Sequence, residues 1–338
     1  MNHAGIAQVE RVAPNALVWK ANDGSALGAT RSTWMGTGRF GRLLATFGVI
    51  WLMSSGLGAG ETAVTITPEL KGALVKPDRG WNGSAVLLLH GFASDMDDAG
   101  GLLKRLAQAL AARGIASLRI NFRGEGDAKR TDIESTFDTR LADAAVAYAW
   151  LVEQPGVNAN RLGVAGWSLG ASTAIEIGGQ YPEWFKSMVV WSSPSGDQFA
   201  QMSGNPTARA ALRDGSATED VPGWKKITTK REFYESFRGV DLDKSLAKFP
   251  GAFLTVRGSA DYLAARVLEK PRISDEGRSV SAAVQADADD LLLNAAGGAP
   301  KEKLRIEGAD HVFNVFDPKA GHATRAVEAT VAWFQRTL

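Results

Sequence analysis

Short, largely apolar runs recur along this chain, separated by stretches with helical periodicity. Ala85–Leu89 reads AVLLL, and Ile115–Ile120, Arg161–Ala165, Ser187–Trp191 and Ala252–Val256 repeat the theme. A strand apolar at every position has no solvent face, so it belongs inside a sheet covered on both sides. Between the runs lie amphipathic helices, predicted over Leu102–Arg113, with Gly114 as its stop, over Phe137–Val152 and from Leu169 to about Gly178. Lys303–Ile306 supplies a last strand and Thr324–Leu338 a closing helix. Two early strands, Thr62–Thr67 and Leu70–Lys76, flank a turn at Pro68-Glu69. Strand and helix in alternation imply an α/β fold, a mostly parallel central sheet with helices on both faces. Two stretches break the rhythm. Residues 195–248 are polar and read as a small cap, and residues 264–300 carry an Ala/Asp-rich piece, Ser281–Asn294, expected to be helical. Insertions at the carboxyl ends of parallel strands lie over the place where such sheets bind ligands.

The first sixty residues stand apart from this pattern. Residues 1–34 show no periodicity. From Met35, Arg39 and Arg42 precede the apolar stretch Leu43–Met53, and small residues follow from Ser54 to Gly60. A basic start (about 35–42), an apolar core (43–53) and a small-residue zone are the three parts of a secretory signal peptide. Domain 61–338 is then expected to be secreted or periplasmic, with no stable membrane insertion after cleavage. An uncleaved anchor over 43–59 is the alternative. Gly36-Thr37-Gly38-Arg39-Phe40-Gly41 matches a dinucleotide fingerprint but lacks the preceding strand that motif requires.

Thirty-eight basic residues face 37 acidic ones. Five basic and two acidic side chains lie in residues 1–60, so the remainder carries a net charge of −2. Nothing here favours a nucleic-acid partner. Cysteine is absent, which excludes disulfides, thiolate metal sites and a cysteine nucleophile. Four histidines exist, His3, His90, His311 and His322, with no zinc-binding H-E-x-x-H among them, so neither a metal nor a cofactor is expected.

Gly166-Trp167-Ser168-Leu169-Gly170 matches G-x-S-x-G, directly after a buried run and at the start of a helix. In that strand–turn–helix setting a sharp turn projects the serine hydroxyl outward above a helix N-terminus. The hydroxyl needs a base to take its proton during attack. His311, just past the last strand, is placed for this. His322 reads as a surface residue, and His90 lies too early in the chain. The base in turn needs a carboxylate to hold its tautomer. Asp261 follows the strand Ala252–Val256 after a Gly258 turn, whereas Asp310 is too close in sequence to His311 to meet its ring. The oxyanion donors would be the N–H of Leu169 and the N–H of Phe92, in the loop Leu89-His90-Gly91-Phe92. His90 then braces that loop.

Together these motifs resemble the α/β-hydrolase superfamily over roughly residues 62–338. The order of the HGF turn, the loop Asn121-Phe122-Arg123-Gly124-Glu125-Gly126-Asp127, the elbow GWSLG, the acid turn Gly258–Asp261 and EGADH carries the resemblance. It is most similar to the feruloyl/cinnamoyl-esterase-like members, which also resemble serine aminopeptidases and dienelactone hydrolases. The resemblance implies an α/β-hydrolase fold, a Ser168–Asp261–His311 triad, and Phe92 and Leu169 at the oxyanion. Glu125 stands where the subgroup has His, and some 49 residues separate Asp261 from His311, more than the compact esterases use. The reading is a serine hydrolase cleaving a small-molecule carboxylic ester. A peptidase, amidase or acyltransferase with the same triad, and a binding protein without turnover, are its alternatives.

Overall fold

A computed structural model of the chain describes residues 60–221, 224–273, 279–317 and 319–338, together with the paired dipeptides Glu10–Arg11 and Leu17–Val18. The segment 35–59, on which the signal peptide was read, lies outside the described residues. The chain divides into a unit Met1–Gly56 and a unit Leu57–Leu338, and the sheet, its helices and both insertions belong to the second.

Eight strands form the central sheet: β1 (Glu61–Thr65), β2 (Lys71–Val75), β3 (Ala85–Leu89), β4 (Ala116–Asn121), β5 (Leu162–Trp167), β6 (Ser187–Trp191), β7 (Ala252–Gly258) and β8 (Lys301–Ile306). Their spatial order is β1-β2-β4-β3-β5-β6-β7-β8. From β4 to β8 every pair is parallel, and β1 and β2 join antiparallel at one edge. Strands β3, β5, β6 and β7 are buried at every position, as their largely apolar sequences require, and β7 carries Arg257 into that interior.

One core lies on each face. Helices α2 (Phe137–Val152) and α3 (Leu169–Gln180) cover one side. Helices α1 (Leu102–Ala111) and α5 (His322–Thr337) cover the other, where Leu102, Leu103, Leu106 and Leu110 meet Trp333 and Phe334. The Thr136 hydroxyl starts α2 by accepting from the Thr139 N–H. Going outward from β3, the chain builds β4 on one side and β5 on the other. The strand order therefore reverses between β3 and β5, and a crevice opens at their carboxyl ends. His90–Phe92 leaves β3 there, and Ser168 leaves β5.

The cap, 195–248, contains helices at Gln198–Met202, Pro206–Asp214, Arg231–Glu235 and Leu242–Leu246 and a hairpin of Ser216–Asp220 with Lys226–Lys230. The hairpin also pairs with Asp132–Ile133, in the loop after β4. The second insertion departs from expectation. Ser279–Asp287 is a strand, paired along nine residues with Ala265–Ile273, and only Ala288–Ala295 (α4) is helical. Continuous pairing with a partner strand overrides the helix propensity of its alanines. Asp287 starts the helix by accepting from the N–H groups of Asp289 and Asp290. The last helix begins at His322 rather than Thr324. His322 is half-buried rather than exposed, its Nδ1 2.7 Å from Asn314 Oδ1.

Candidate active site

Ser168 has φ 54° and ψ −117°, a conformation that a residue with a side chain adopts only when its surroundings enforce it. The enforcement is visible. Its N–H donates to the Trp191 carbonyl (2.8 Å), fixing the turn to β6, while its own carbonyl accepts from Ala171 and Ser172 and launches α3. At Gly170 a Cβ would collide with the Leu89 and His90 carbonyls, so α3 can lie this close to β3 only without one.

His311 Nε2 lies 3.1 Å from Ser168 Oγ, and Nδ1 lies 2.8 Å from Asp261 Oδ1. The three residues, 143 and 50 positions apart in sequence, thus form one hydrogen-bonded chain. Backbone contacts hold the ring: the His311 carbonyl accepts from the Trp167 indole N–H (2.9 Å) and the Ser192 hydroxyl (3.1 Å). The exposed Tyr262 ring tilts over the imidazole with centroids 4.4 Å apart. The acid turn meets the histidine loop at Gly258, where a Cβ would strike the Ala309 carbonyl. Asp310 plays no part at the ring. Its carboxylate accepts from the N–H groups of Val312 and Asn314 and shapes the loop.

Burial works against ionisation of Asp261. The His311 hydrogen bond and charge, the Leu263 N–H (2.9 Å) and Arg257 outweigh it and hold the carboxyl below the ordinary aspartate range. Arg257 is fully buried on β7, its Nη1 3.3 Å from Asp261 Oδ2. Its Nε lies 3.0 Å from both oxygens of Asp289, on α4, and Nη2 donates to the Ser193 carbonyl. The sequence reading missed this pair, although a lone arginine inside the apolar run Ala252–Val256-Arg257 was a usable sign of a buried charge needing a partner.

The loop after β3 presents a free donor between engaged neighbours. Gly91 N–H donates to Asp98 Oδ2 (3.1 Å) and Ala93 N–H to Glu125 Oε2 (2.6 Å). Phe92 N–H has no protein acceptor among the described residues. Leu169 N–H, in the first turn of α3, has none within its helix. His90 braces the loop as its position suggests. Its Nε2 accepts from the Phe122 N–H (3.1 Å), so Nδ1 carries the hydrogen and donates to the Gly91 carbonyl (2.7 Å). Burial, aided by Arg140, pulls His90 down to about 4, which keeps it neutral. That carbonyl belongs to the same peptide unit as the Phe92 N–H, so the imidazole sets where the donor points. Glu125 takes the place left by the missing histidine. It pairs with Arg140 (2.5 Å), whose other nitrogen donates to the His90 carbonyl (2.5 Å).

On the cap side, Phe233, Tyr234, Phe237, Phe199 and Met202 pack with Leu169 and Phe92 into an apolar wall beside the serine. Trp167 and Trp191 are core residues, whereas Trp224 is exposed on the cap.

Comparison with known proteins fits this geometry. The model of the alpha/beta hydrolase family matches residues 86–326, from within β3 into α5. This chain belongs to the alpha/beta hydrolase family. Among curated proteins it is similar to an uncharacterized protein of Mycobacterium tuberculosis, 33% identical over 132 residues, which are 38% of this chain and 44% of that protein. The match thus spans less than half of the relative's length. Among solved structures, this chain resembles Est1E from Butyrivibrio proteoclasticus, with TM-score 0.58 at 15% identity over 82% of this chain and 99% of that one. It also resembles a dienelactone hydrolase from Anabaena variabilis (0.52, 17%, 82% and 98%). A puromycin-hydrolyzing peptidase of Mycobacterium tuberculosis aligns at 0.55 and 18%, over 82% of this chain and 39% of that one. At these identities the structural likeness concerns the fold alone.

Proposed function

We propose that this alpha/beta hydrolase cleaves a carboxylic ester through an acyl-enzyme on Ser168. The observation that carries the reading is the unbroken chain Ser168 Oγ–His311–Asp261 at 3.1 and 2.8 Å. Ser168 Oγ attacks the ester carbon as His311 Nε2 takes the hydroxyl proton. Asp261, accepting at Nδ1, fixes the tautomer and stabilises the imidazolium. The carbonyl oxygen gains charge and is received by the N–H groups of Phe92 and Leu169. The C–O bond to the alcohol breaks, and His311 returns its proton to that leaving oxygen. Water then repeats the sequence on the acyl-enzyme and releases the acid. An aromatic wall from the cap beside Leu169 suits an apolar acyl group, and a structure of the related Est1E holds ferulic acid. An amide or acyl-transfer reading uses the same groups and differs in the leaving group or acceptor.

Labelling of the full chain with a fluorophosphonate tests the reading. The adduct is expected on Ser168 and absent in Ser168→Ala, with ester turnover reduced by about 10⁴-fold or more. A folded protein that neither labels nor turns over short acyl esters would sink it. We also propose that residues 35–60 direct export. N-terminal sequencing of the protein recovered from cells is expected to find a start near residue 60; an intact Met1 or Met35 terminus would reject cleavage and favour the uncleaved anchor over 43–59.

A further inference from the structure

Behind the acid of the site lies a second buried charge pair that the triad itself does not require. Besides His311, Arg257 is the one basic side chain touching Asp261 among the described residues, and it reaches the carboxylate oxygen that His311 does not use. It is held from two sides. Asp289, itself buried, binds the guanidinium with both oxygens and is steadied by the Thr255 hydroxyl (2.7 Å), and the Ser193 carbonyl accepts from the remaining nitrogen. Asp289 stands in the first turn of α4, which belongs to the insertion that makes the Asp261–His311 separation long. The additional chain thus returns a carboxylate to the back of the site.

We propose that Arg257, locked by Asp289, is a positioning residue that fixes the orientation and charge of Asp261 and through it sets the basicity of His311. The inference rests on the triad reading above and adds to it a role for the second insertion. The physical argument is one of sign. A cation behind Asp261 draws on the carboxylate's charge and lowers its pull on the imidazolium, and an anion behind the cation restores part of that pull. Geometry follows the same contacts: with Oδ2 bound by Arg257, Oδ1 is turned toward the ring and shared only with the Leu263 N–H.

The other ionisable groups around the ring are placed on every side. Tyr262 stacks on it from the acid turn, and Asp310 precedes it in its own loop with its carboxylate turned to backbone. Arg305 on β8 approaches Asp289 at 3.7 Å from behind. Glu219, on the cap hairpin, acts on Tyr262 by charge alone. None of these touches Asp261 Oδ2, so Arg257 and Asp289 are the pair whose removal alters the acid directly.

The test is a proton titration of His311 in the full chain, by NMR of the imidazole carbons in protein labelled at its four histidines and assigned with His311→Gln. Relative to the parent, Arg257→Met is expected to raise the His311 midpoint by about one pH unit, and Asp289→Asn to lower it by about half a unit. Arg257→Lys, which keeps the charge, is expected to stay within a few tenths. The acidic limb of kcat/KM should move with each midpoint. A merely structural pair would move both midpoints the same way or neither, and either result overturns the inference. If Arg257→Met does not fold, the paired Arg257→Met/Asp289→Leu, which leaves no anion stranded at position 289, is expected to raise the midpoint by about half a unit, while the single Asp289→Asn still lowers it. Fluorophosphonate labelling of the parent separates the two readings: an unlabelled Ser168 with midpoints displaced as expected rejects the hydrolase mechanism and leaves the positioning role of Arg257 standing.

Discussion

Two fully buried arginines flank the site, and they do different work. Arg140, on α2, meets one carboxylate, Glu125, and otherwise neutral partners: the His90 carbonyl, the Thr173 hydroxyl and the face of Phe122. Arg257, on β7, meets two carboxylates, Asp289 and Asp261, and one carbonyl. The first group sums to zero charge and its contacts end on the backbone of the Phe92 loop. The second carries one negative charge in excess, and that excess faces an imidazole. One arginine therefore fixes a shape and the other tunes a charge. A buried ion pair seldom adds net stability over an apolar replacement, and both pairs here make sense through what they hold in place.

The contrast breaks most visibly at Glu125. Glu125→Gln leaves Arg140 buried without its anion and is expected to cost about 3–5 kcal/mol in urea unfolding. Replacing both residues, as Glu125→Leu/Arg140→Met, should recover most of that cost. Turnover should remain reduced by about 10–100-fold, because Ala93 N–H and the His90 carbonyl stay unheld and the Phe92 donor drifts. KM and the pH of the acidic limb should stay put. If the double variant recovers full kcat, Glu125 and Arg140 are packing alone and the contrast fails.

Much of this is legible in the sequence. Ala85–Leu89, Phe137–Val152 and Ser187–Trp191 have the boundaries their patterns imply, because compact, largely apolar runs and a clean cap leave little choice. Ser168, Asp261 and His311 could be singled out because each follows a strand end with a distinctive turn. The buried arginines could not be paired from sequence: Arg140 is one of several charged residues on α2, and only the fold shows that it points inward at Glu125. The Ser279–Asp287 strand was hidden for a related reason. Its alanines favour a helix, and its partner at Ala265–Ile273 is a tertiary fact that no local pattern carries.

Asp98 extends the contrast to pH. Burial pushes its carboxyl up to about 7, against the hydrogen bonds from Ser94, Gly91 and Ala99, while the nearby Asp95 adds to the rise. The folded protein therefore holds a proton that the unfolded chain, with an ordinary aspartate, has released. The resulting stabilisation is complete below about pH 4 and disappears as pH climbs toward 7. Asp98→Asn keeps a neutral group of the same shape. The stability of the parent relative to this variant should fall between pH 5 and 7 and then level off in urea unfolding. A parallel pair of curves would show that Asp98 is ionised throughout and that its hydrogen bonds outweigh its burial.

The smallest effect is expected where the cap touches the same loop. Lys225 directs its ammonium at three carbonyls, those of Ala93, Ala128 and Arg130, at 2.7–2.8 Å. Burial lowers its pKa, and Asp127, Glu125 and Asp95 oppose that change by charge. Ala93 is thus gripped at its N–H by Glu125 from inside the fold and at its carbonyl by Lys225 from the cap. Lys225 is partly exposed, so water can replace part of what it gives. Lys225→Met is expected to cost about 1 kcal/mol and to lower kcat/KM by about two- to five-fold without moving the acidic limb. Limited proteolysis should at the same time cut the cap hairpin faster. A shift of the limb would place Lys225 with Arg257 as a group that tunes charge. A loss of rate alone places it with Arg140, as a second hold on the loop that carries the Phe92 N–H.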